Sequence, residues 1–105
     1  MMIKSAKTLK RKDGWCDAPR HRSYNHKVKL PFAAPHEILW REDEAYDILA
    51  TTNYNQRPRV RGNGSAIFLH IWREGATSTE GCIALRRRDL MIVLSKMKKT
   101  TYVVI

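Results

Sequence analysis

A histidine and a cysteine, His70 and Cys82, lie on two short apolar segments that a polar stretch separates. The intervening residues 71–78 are mostly polar and contain a glycine, so they predict a loop that brings the second segment beside the first. A cysteine is a good nucleophile as a thiolate, and a neighbouring imidazole favours that form. The two segments therefore predict a cysteine nucleophile with a histidine base.

Gly81 directly precedes the cysteine and fits the same chemistry. Glycine permits a tight turn and leaves space in front of the sulfur, so backbone amides there can face a developing oxyanion. Each residue alone also has a plain structural interpretation. A lone cysteine is most often a small buried hydrophobe, and a lone histidine on an apolar strand is most often a hydrogen-bonded core residue. Only the combination favours catalysis.

The elements that must position these residues include several short strands. The run 66–72 is continuously apolar apart from His70, which predicts a buried central strand. Three more segments are predicted as strands from their alternation or their β-forming residues. They are 28–32, which Pro31 confines to a sheet edge, 46–52 and 101–105.

One helix is predicted after the cysteine. Asp89 lies where a first helical turn favours negative charge, apolar residues follow at helical spacing, and lysines crowd the far end. Residues 36–40 predict a single turn of helix, and the acidic run 42–44 predicts a solvated loop. The cysteine segment is thus expected to lead into the helix.

Length and composition predict one small domain. The chain has 105 residues, of which 43% are apolar, and a formal net charge of +10. Such an apolar fraction is ordinary for a folded protein and argues against wholesale disorder. Residues 1–12 are basic and lack periodicity, so they predict a flexible arm or the remnant of a lost segment. The domain is therefore assigned to residues 13–105.

The sequence predicts neither a membrane span nor a secretory signal. No stretch approaches the roughly 18 apolar residues that a spanning helix needs. The basic start has no apolar region behind it, so export would need a missing N-terminus.

The two cysteines, Cys16 and Cys82, are more often reduced than paired in a chain without a signal. Cys16, His21 and His26 suggest zinc only weakly, because their spacing fits no common ligand pattern. No metal and no cofactor is expected.

These residues resemble the L,D-transpeptidase catalytic domains of the YkuD type. Those domains carry a histidine on one strand and, after a loop, a Ser/Thr-x-Gly-Cys motif whose cysteine is the nucleophile. The counterparts are Gly-Ser-Ala-Ile-Phe-Leu-His at 64–70 and Thr-Glu-Gly-Cys at 79–82, and further similarity extends over about residues 13 to 105. The resemblance implies a mostly β fold, a small sandwich or barrel with one helix after the cysteine.

The resemblance also implies a two-step acyl transfer on peptidoglycan stem peptides, in cell-wall biosynthesis or remodelling. Cys82 would be the nucleophile and His70 the base. Backbone amides of Gly81 and Cys82 would hold the oxyanion, and Thr79 would shape the loop. This chemistry implies a place in the cell envelope or periplasm, whereas the lack of a visible signal favours the cytoplasm.

The chain departs from the family pattern at two positions. The commoner motif has histidine where Glu80 stands and, two residues after the cysteine, an arginine where Ala84 stands. That arginine is thought to help bind the substrate. We expect one of three neighbouring guanidinium groups, Arg86, Arg87 or Arg88, to supply that charge. Strands that such domains usually carry before residue 13 are not expected in this chain, which predicts an N-terminal truncation.

Two alternatives from other classes stay open. The chain is a truncated noncatalytic relative if Cys82 is unreactive. It is a basic nucleic-acid-binding module if its charge serves to contact phosphates. Nucleic acid is disfavoured as a partner, because no helix-turn-helix, zinc finger or paired-aromatic motif supports it, and basic charge equally suits an enzyme that meets anionic wall polymers.

Overall fold

Seven strands in two sheets and one helix form within the part of the chain that the structure, a computed structural model, describes: residues 1–5, 9–56, 58–79, 81–98 and 101–103. The strands are β1 (Ile3–Ser5), β2 (Asp13–Cys16), β3 (His26–Lys29), β4 (His36–Ile38), β5 (Leu49–Thr52), β6 (Phe68–Ile71) and β7 (Ile83–Leu85). The helix α1 spans Arg87–Lys96. The predicted mostly β fold with one helix after the cysteine is confirmed.

The larger sheet has the strand order β1-β5-β6-β7, and the smaller sheet has the order β3-β2-β4. Neighbouring strands are antiparallel, except that β6 and β7 are parallel. A parallel pair cannot be joined by a tight hairpin, so the chain between β6 and β7 must cross back along the sheet. The two apolar segments of the sequence therefore lie side by side in the same direction.

Both faces of strand β6 are buried, and its residues are apolar apart from His70. On one face, Phe68 packs against the smaller sheet, with the Trp15 ring edge-on at a centroid distance of 4.8 Å. On the other face, Leu69 and Ile71 pack with Leu90 of α1. Strand β6 thus lies between the helix and the smaller sheet, and alternate residues serve two different cores.

Several sequence-based boundaries need correction. The helical turn predicted for 36–40 is wrong, because His36–Ile38 form β4 and pair with β2. The strand predicted for 46–52 begins only at Leu49, after a turn around Ala45. Tyr102 forms an isolated bridge with Met2, and residues 104–105 of the predicted last strand lie outside the described residues. Long-range pairing decides where β4 and β5 form, and the local pattern does not encode it.

The segment 1–12, expected to be a basic arm, contributes a strand to the larger sheet. Ile3 and Ser5 pair with Thr52 and Thr51 of β5. The Met2 amide also donates a hydrogen bond to the side chain of Asn53, at 2.9 Å. Part of this segment is therefore built into the sheet. Among the described residues, no helix has the length and apolarity that crossing a bilayer demands.

The packing of α1 on β6 can be tested by substituting two neighbouring helix residues, one buried and one exposed. Leu90 is fully buried, whereas Met91 is 57% exposed. We expect Leu90→Ala to lower the free energy of unfolding by about 2–5 kcal/mol, because it leaves a cavity between helix and sheet. Met91→Ala should change it by less than about 0.5 kcal/mol. Urea denaturation followed by circular dichroism measures both, and equal losses would show that the helix does not pack through Leu90.

Candidate active site

His70 and Cys82 reach the same cleft through the parallel pairing of β6 with β7. His70 pairs with Ala84, and Cys82 comes two residues earlier in the chain, directly before β7. Residues two apart on an extended segment share a face, so Cys82 projects on the same side as His70. Both side chains line a cleft of about 540 Å³. The structure therefore brings together the two residues that the sequence predicted to act together.

The imidazole of His70 has a defined orientation. It is 8% exposed, and its Nδ1 lies 2.8 Å from the backbone carbonyl of Ile71. A carbonyl oxygen only accepts hydrogen bonds, so Nδ1 carries the hydrogen, and Nε2 of the neutral ring carries the lone pair. The ring of Tyr46 packs edge-on against the imidazole at a centroid distance of 5.3 Å. His70 is thus held in a single tautomer suited to accepting a proton at Nε2.

Cys82 is held through both its side chain and its backbone. The thiol donates a hydrogen bond to the carbonyl of Ala66, at 3.1 Å from Sγ. The hydroxyl of Thr79 donates to the carbonyl of Cys82, at 2.6 Å. Cys82 is only partly buried, although it packs against the core cluster that contains Phe68. The sulfur is therefore positioned at the boundary between core and cleft.

Gly81 adopts a backbone conformation that favours glycine. Its φ is +108°, and an added Cβ would lie 3.1 Å from Cδ1 of Ile67. Both the dihedral angle and the limited space oppose a side chain here. Glu80, which stands where the commoner motif has histidine, lies outside the described residues. The turn into Cys82 thus depends on Gly81 together with the Thr79 hydrogen bond.

Asn25 contacts Ala66, which lines the cleft, and the sequence analysis did not identify it. It is 2% exposed, and its Oδ1 accepts hydrogen bonds from the Trp15 indole and from the Ala66 amide, each at 3.1 Å. Its Nδ2 donates to the carbonyls of Tyr54 and Asn55, at 2.7 and 3.0 Å. In the sequence it is one of several turn-forming residues, and nothing marks it as buried. Its role emerges only when distant segments meet around it.

The cleft also contains a neutral hydrogen-bond donor, Tyr46. Its hydroxyl donates to the carboxylate of Glu37, and both residues line the cleft. Burial raises the pKa of Tyr46 far above its usual value, and the hydrogen bond to Glu37 raises that pKa further. Tyr46 therefore keeps its proton at any pH at which a cysteine nucleophile works.

Two guanidinium groups, Arg41 and Arg73, line the cleft. Arg41 donates to both carboxylate oxygens of Asp43, the Nε bond to Oδ1 being 2.8 Å long, and its guanidinium lies over the Tyr46 ring. That hydrogen bond is the main reason that the pKa of Asp43 is lowered to about 2. Arg73 is 3.8 Å from the same carboxylate. The segment 42–44, predicted to be a solvated acidic loop, thus includes a carboxylate that both cleft arginines approach.

The three arginines proposed from the sequence lie elsewhere. Arg86 precedes α1, and Arg87 pairs with Asp47 at 2.9 Å and with Glu44 at 3.9 Å on the surface. Arg88 is exposed on the first turn of the helix. The described residues that line the cleft include Ala84 but none of these three. The structure therefore does not bring Arg86, Arg87 or Arg88 together with Cys82.

Cys16 and His26 are cross-strand partners in β2 and β3, but the side chains of Cys16, His21 and His26 have different surroundings. Cys16 is fully buried in β2, the His21 ring packs on Phe32, and Nδ1 of His26 lies 2.9 Å from the carbonyl of Tyr24. Within the described part of the chain, no three His, Cys, Asp or Glu side chains form a group that could hold a metal ion. Cys16 and Cys82 are not joined to each other by a disulfide.

Comparison with protein families matches residues 1–105 to YkuD, the L,D-transpeptidase catalytic domain. No curated protein and no solved structure matches the chain. The family match covers both strand segments of the cleft and the turn between them. The chain therefore belongs to the YkuD family of L,D-transpeptidase catalytic domains.

Proposed function

We propose that this protein is a cysteine-dependent L,D-transpeptidase that acts on peptidoglycan stem peptides, with Cys82 as nucleophile and His70 as base. One observation carries the proposal: the thiol lines the same cleft as an imidazole whose Nδ1 is hydrogen-bonded, which leaves Nε2 as the proton acceptor. Since the substrate is a wall polymer, the proposed place of action is the cell envelope.

In the first half-reaction, Nε2 of His70 takes the thiol proton, and the sulfur of Cys82 attacks a carbonyl carbon of the donor stem peptide. The carbonyl π electrons move to oxygen, and the backbone amides of Gly81 and Cys82 are the proposed donors to that oxyanion. When the oxyanion collapses, the C–N bond breaks. The terminal D-amino acid leaves with the proton from His70, and a thioester remains on Cys82.

In the second half-reaction, the amine of another stem peptide attacks the thioester carbonyl and gives a proton to His70. The C–S bond breaks as the new amide forms, and the sulfur regains its proton. Tyr46 stays neutral throughout and holds Glu37, so its proposed part is to fix that carboxylate in the cleft wall.

The leaving D-amino acid carries a carboxylate, and the cleft offers two guanidinium groups to receive it. Arg41 is engaged in two hydrogen bonds with Asp43, whereas the side chain of Arg73 is 54% exposed and approaches that carboxylate only to 3.8 Å. A guanidinium pairs a carboxylate best with two parallel hydrogen bonds. We therefore assign carboxylate recognition to Arg73, positioned beside Arg41, in place of the arginine that Ala84 replaces.

Acylation tests the nucleophile directly. We expect the intact mass of the purified protein to increase by one inhibitor molecule after incubation with a carbapenem, whose strained carbonyl acylates nucleophiles. Cys82→Ala should show no adduct, and His70→Gln should acylate at least 100-fold more slowly, because it removes the general base. A folded chain that forms no adduct would instead indicate a noncatalytic relative.

Gly81 offers a test of the turn that presents the sulfur. Gly81→Ala places a side chain at φ +108° against Ile67, so we expect at least a tenfold slower acylation by a carbapenem. Gly75→Ala is the matched control, because Gly75 also has a positive φ, +78°, but nothing lies within 4 Å of its added Cβ. Similar acylation rates in the two variants would show that the Gly81 turn does not position Cys82.

Substrate recognition is tested by comparing two donor peptides, one ending in a carboxylate and one in an amide. Arg73→Ala should raise KM for the carboxylate peptide by about tenfold or more, the loss expected for a charge-assisted hydrogen bond. The same variant should leave KM for the amide peptide nearly unchanged. Arg88→Ala serves as the control on α1. If Arg88→Ala gave the larger effect, recognition would belong to the helix.

A further inference from the structure

We propose that Asn25 is a positioning residue for the nucleophile: it fixes the Ala66 carbonyl, which accepts the thiol hydrogen of Cys82 and holds the sulfur in its resting position. The inference rests on the proposed function only in naming Cys82 as the nucleophile. It assigns to a turn residue, 57 positions away in the chain, control over where the sulfur lies before reaction.

The backbone of Ala66 requires an anchor. Its φ is 56°, a left-handed conformation that residues with a side chain rarely adopt. The Ala66 amide donates to Oδ1 of Asn25 at 3.1 Å, and its carbonyl faces the sulfur of Cys82. Since amide and carbonyl belong to one strained residue, fixing the amide restricts where the carbonyl points.

Asn25 is well suited to be that anchor because its hydrogen bonds hold it from several directions. Its side chain makes four, which use both lone pairs of the amide oxygen and both hydrogens of the amide nitrogen. Its backbone amide also donates to Cys16 of β2 at 2.8 Å, and its carbonyl accepts from Gln56 at 2.9 Å. Asn25 thus links the smaller sheet to the connection that ends at Ala66.

The Ala66 carbonyl attracts the protonated thiol and repels the thiolate. A protonated thiol donates to the carbonyl oxygen, whereas a thiolate has no hydrogen to donate and is repelled by the carbonyl dipole. The contact therefore holds the protonated thiol in place until Nε2 of His70 removes the hydrogen. Loss of that hydrogen releases the sulfur from Ala66 towards the substrate carbonyl. The same carbonyl then disfavours return of the thiolate.

The four side-chain hydrogen bonds of Asn25 go to Trp15, Tyr54, Asn55 and Ala66, and none of them reaches another ionisable side chain of the cleft. Those ionisable side chains come from the residue after β2, from β4, from the segment before β5, and from β6 and the loop after it: Asp17, Glu37, Arg41, Tyr46, His70 and Arg73. A change in the pH dependence of Cys82 after substitution of Asn25 can therefore be attributed to the Ala66 contact when the fold is intact.

The test measures the rate at which iodoacetamide alkylates Cys82 between pH 5 and 10, with peptide mapping to separate it from Cys16. Asn25→Gly removes the side chain without backbone strain, because glycine accepts the φ of 59° found at this position. We expect the midpoint of its pH profile to move at least half a pH unit lower than in the wild type. Acyl transfer to the wild-type donor peptide should fall at least tenfold, because the sulfur is no longer positioned.

Trp15→Phe is the matched control, since it removes the other donor to the same Oδ1 and leaves the Ala66 amide in place. We expect it to lower the thermal midpoint and leave the alkylation profile unchanged. Equal profile shifts in Trp15→Phe and Asn25→Gly would overturn the proposal, because they would indicate general loosening. An unchanged profile in folded Asn25→Gly would overturn it as well.

A measurement on the wild-type chain tests the contact between Ala66 and Cys82, on which the proposal depends, even if Asn25→Gly does not fold. With carbonyl-¹³C alanine, the Ala66 resonance should shift through the same pH midpoint as alkylation of Cys82, whereas buried Ala50 of β5 should not shift. A constant Ala66 resonance would refute the proposal. Neither the alkylation profile nor this resonance requires transpeptidation, so a chain that shows both but forms no acyl-enzyme would refute only the proposed function.

Discussion

Burial of both faces of β6 is the constraint on which the rest of the structure depends. Phe68 packs against Trp15 of the smaller sheet, and Leu69 and Ile71 pack beneath α1 with Leu90. Burial of apolar surface on two sides fixes this strand more firmly than one face would. Because the residues alternate, His70 must share the face of Phe68. The imidazole is thereby placed at the edge of a core, where its Nδ1 needs a partner and finds the Ile71 carbonyl.

Polar groups between the two sheets form hydrogen bonds with one another, and these hydrogen bonds shape the cleft. Asn25 joins the Trp15 indole to the Ala66 amide, and the Tyr46 hydroxyl bonds to Glu37 of β4. Among the described residues, no buried side-chain nitrogen or oxygen lacks a hydrogen-bond partner. A buried polar network in which every group has a hydrogen-bond partner is rigid, because a movement that breaks one bond leaves a buried polar group unpaired. The cleft wall is therefore held by directional bonds as well as by packing.

The sequence predicted what local patterns encode and missed what distant contacts decide. The apolar run around His70 predicted β6, and the charge pattern from Asp89 onwards predicted α1, since each depends on neighbouring residues. Strand β4 was missed because its partner β2 lies about twenty residues away. The meeting of Cys82 with His70 was predicted from one loop between them, whereas Arg73 and Asn25 reach the site through packing that no spacing reveals. Their types, an arginine and a turn asparagine, are common on surfaces.

Charge acts at two ranges in this molecule. The net charge of +10 is carried largely outside the cleft, for example by exposed lysines Lys10, Lys12, Lys27 and Lys29 around one end of the smaller sheet. Inside the cleft, Asp17 and Glu37 offset Arg41 and Arg73, so the formal charges nearly cancel. A long-range field raises the rate of encounter with anionic polymers and is screened by salt, whereas short hydrogen bonds at a partly buried site are screened much less. The surface charge therefore affects the rate at which the protein meets charged partners, whereas the positions of His70, Ala66 and Cys82 affect the reactivity of the site.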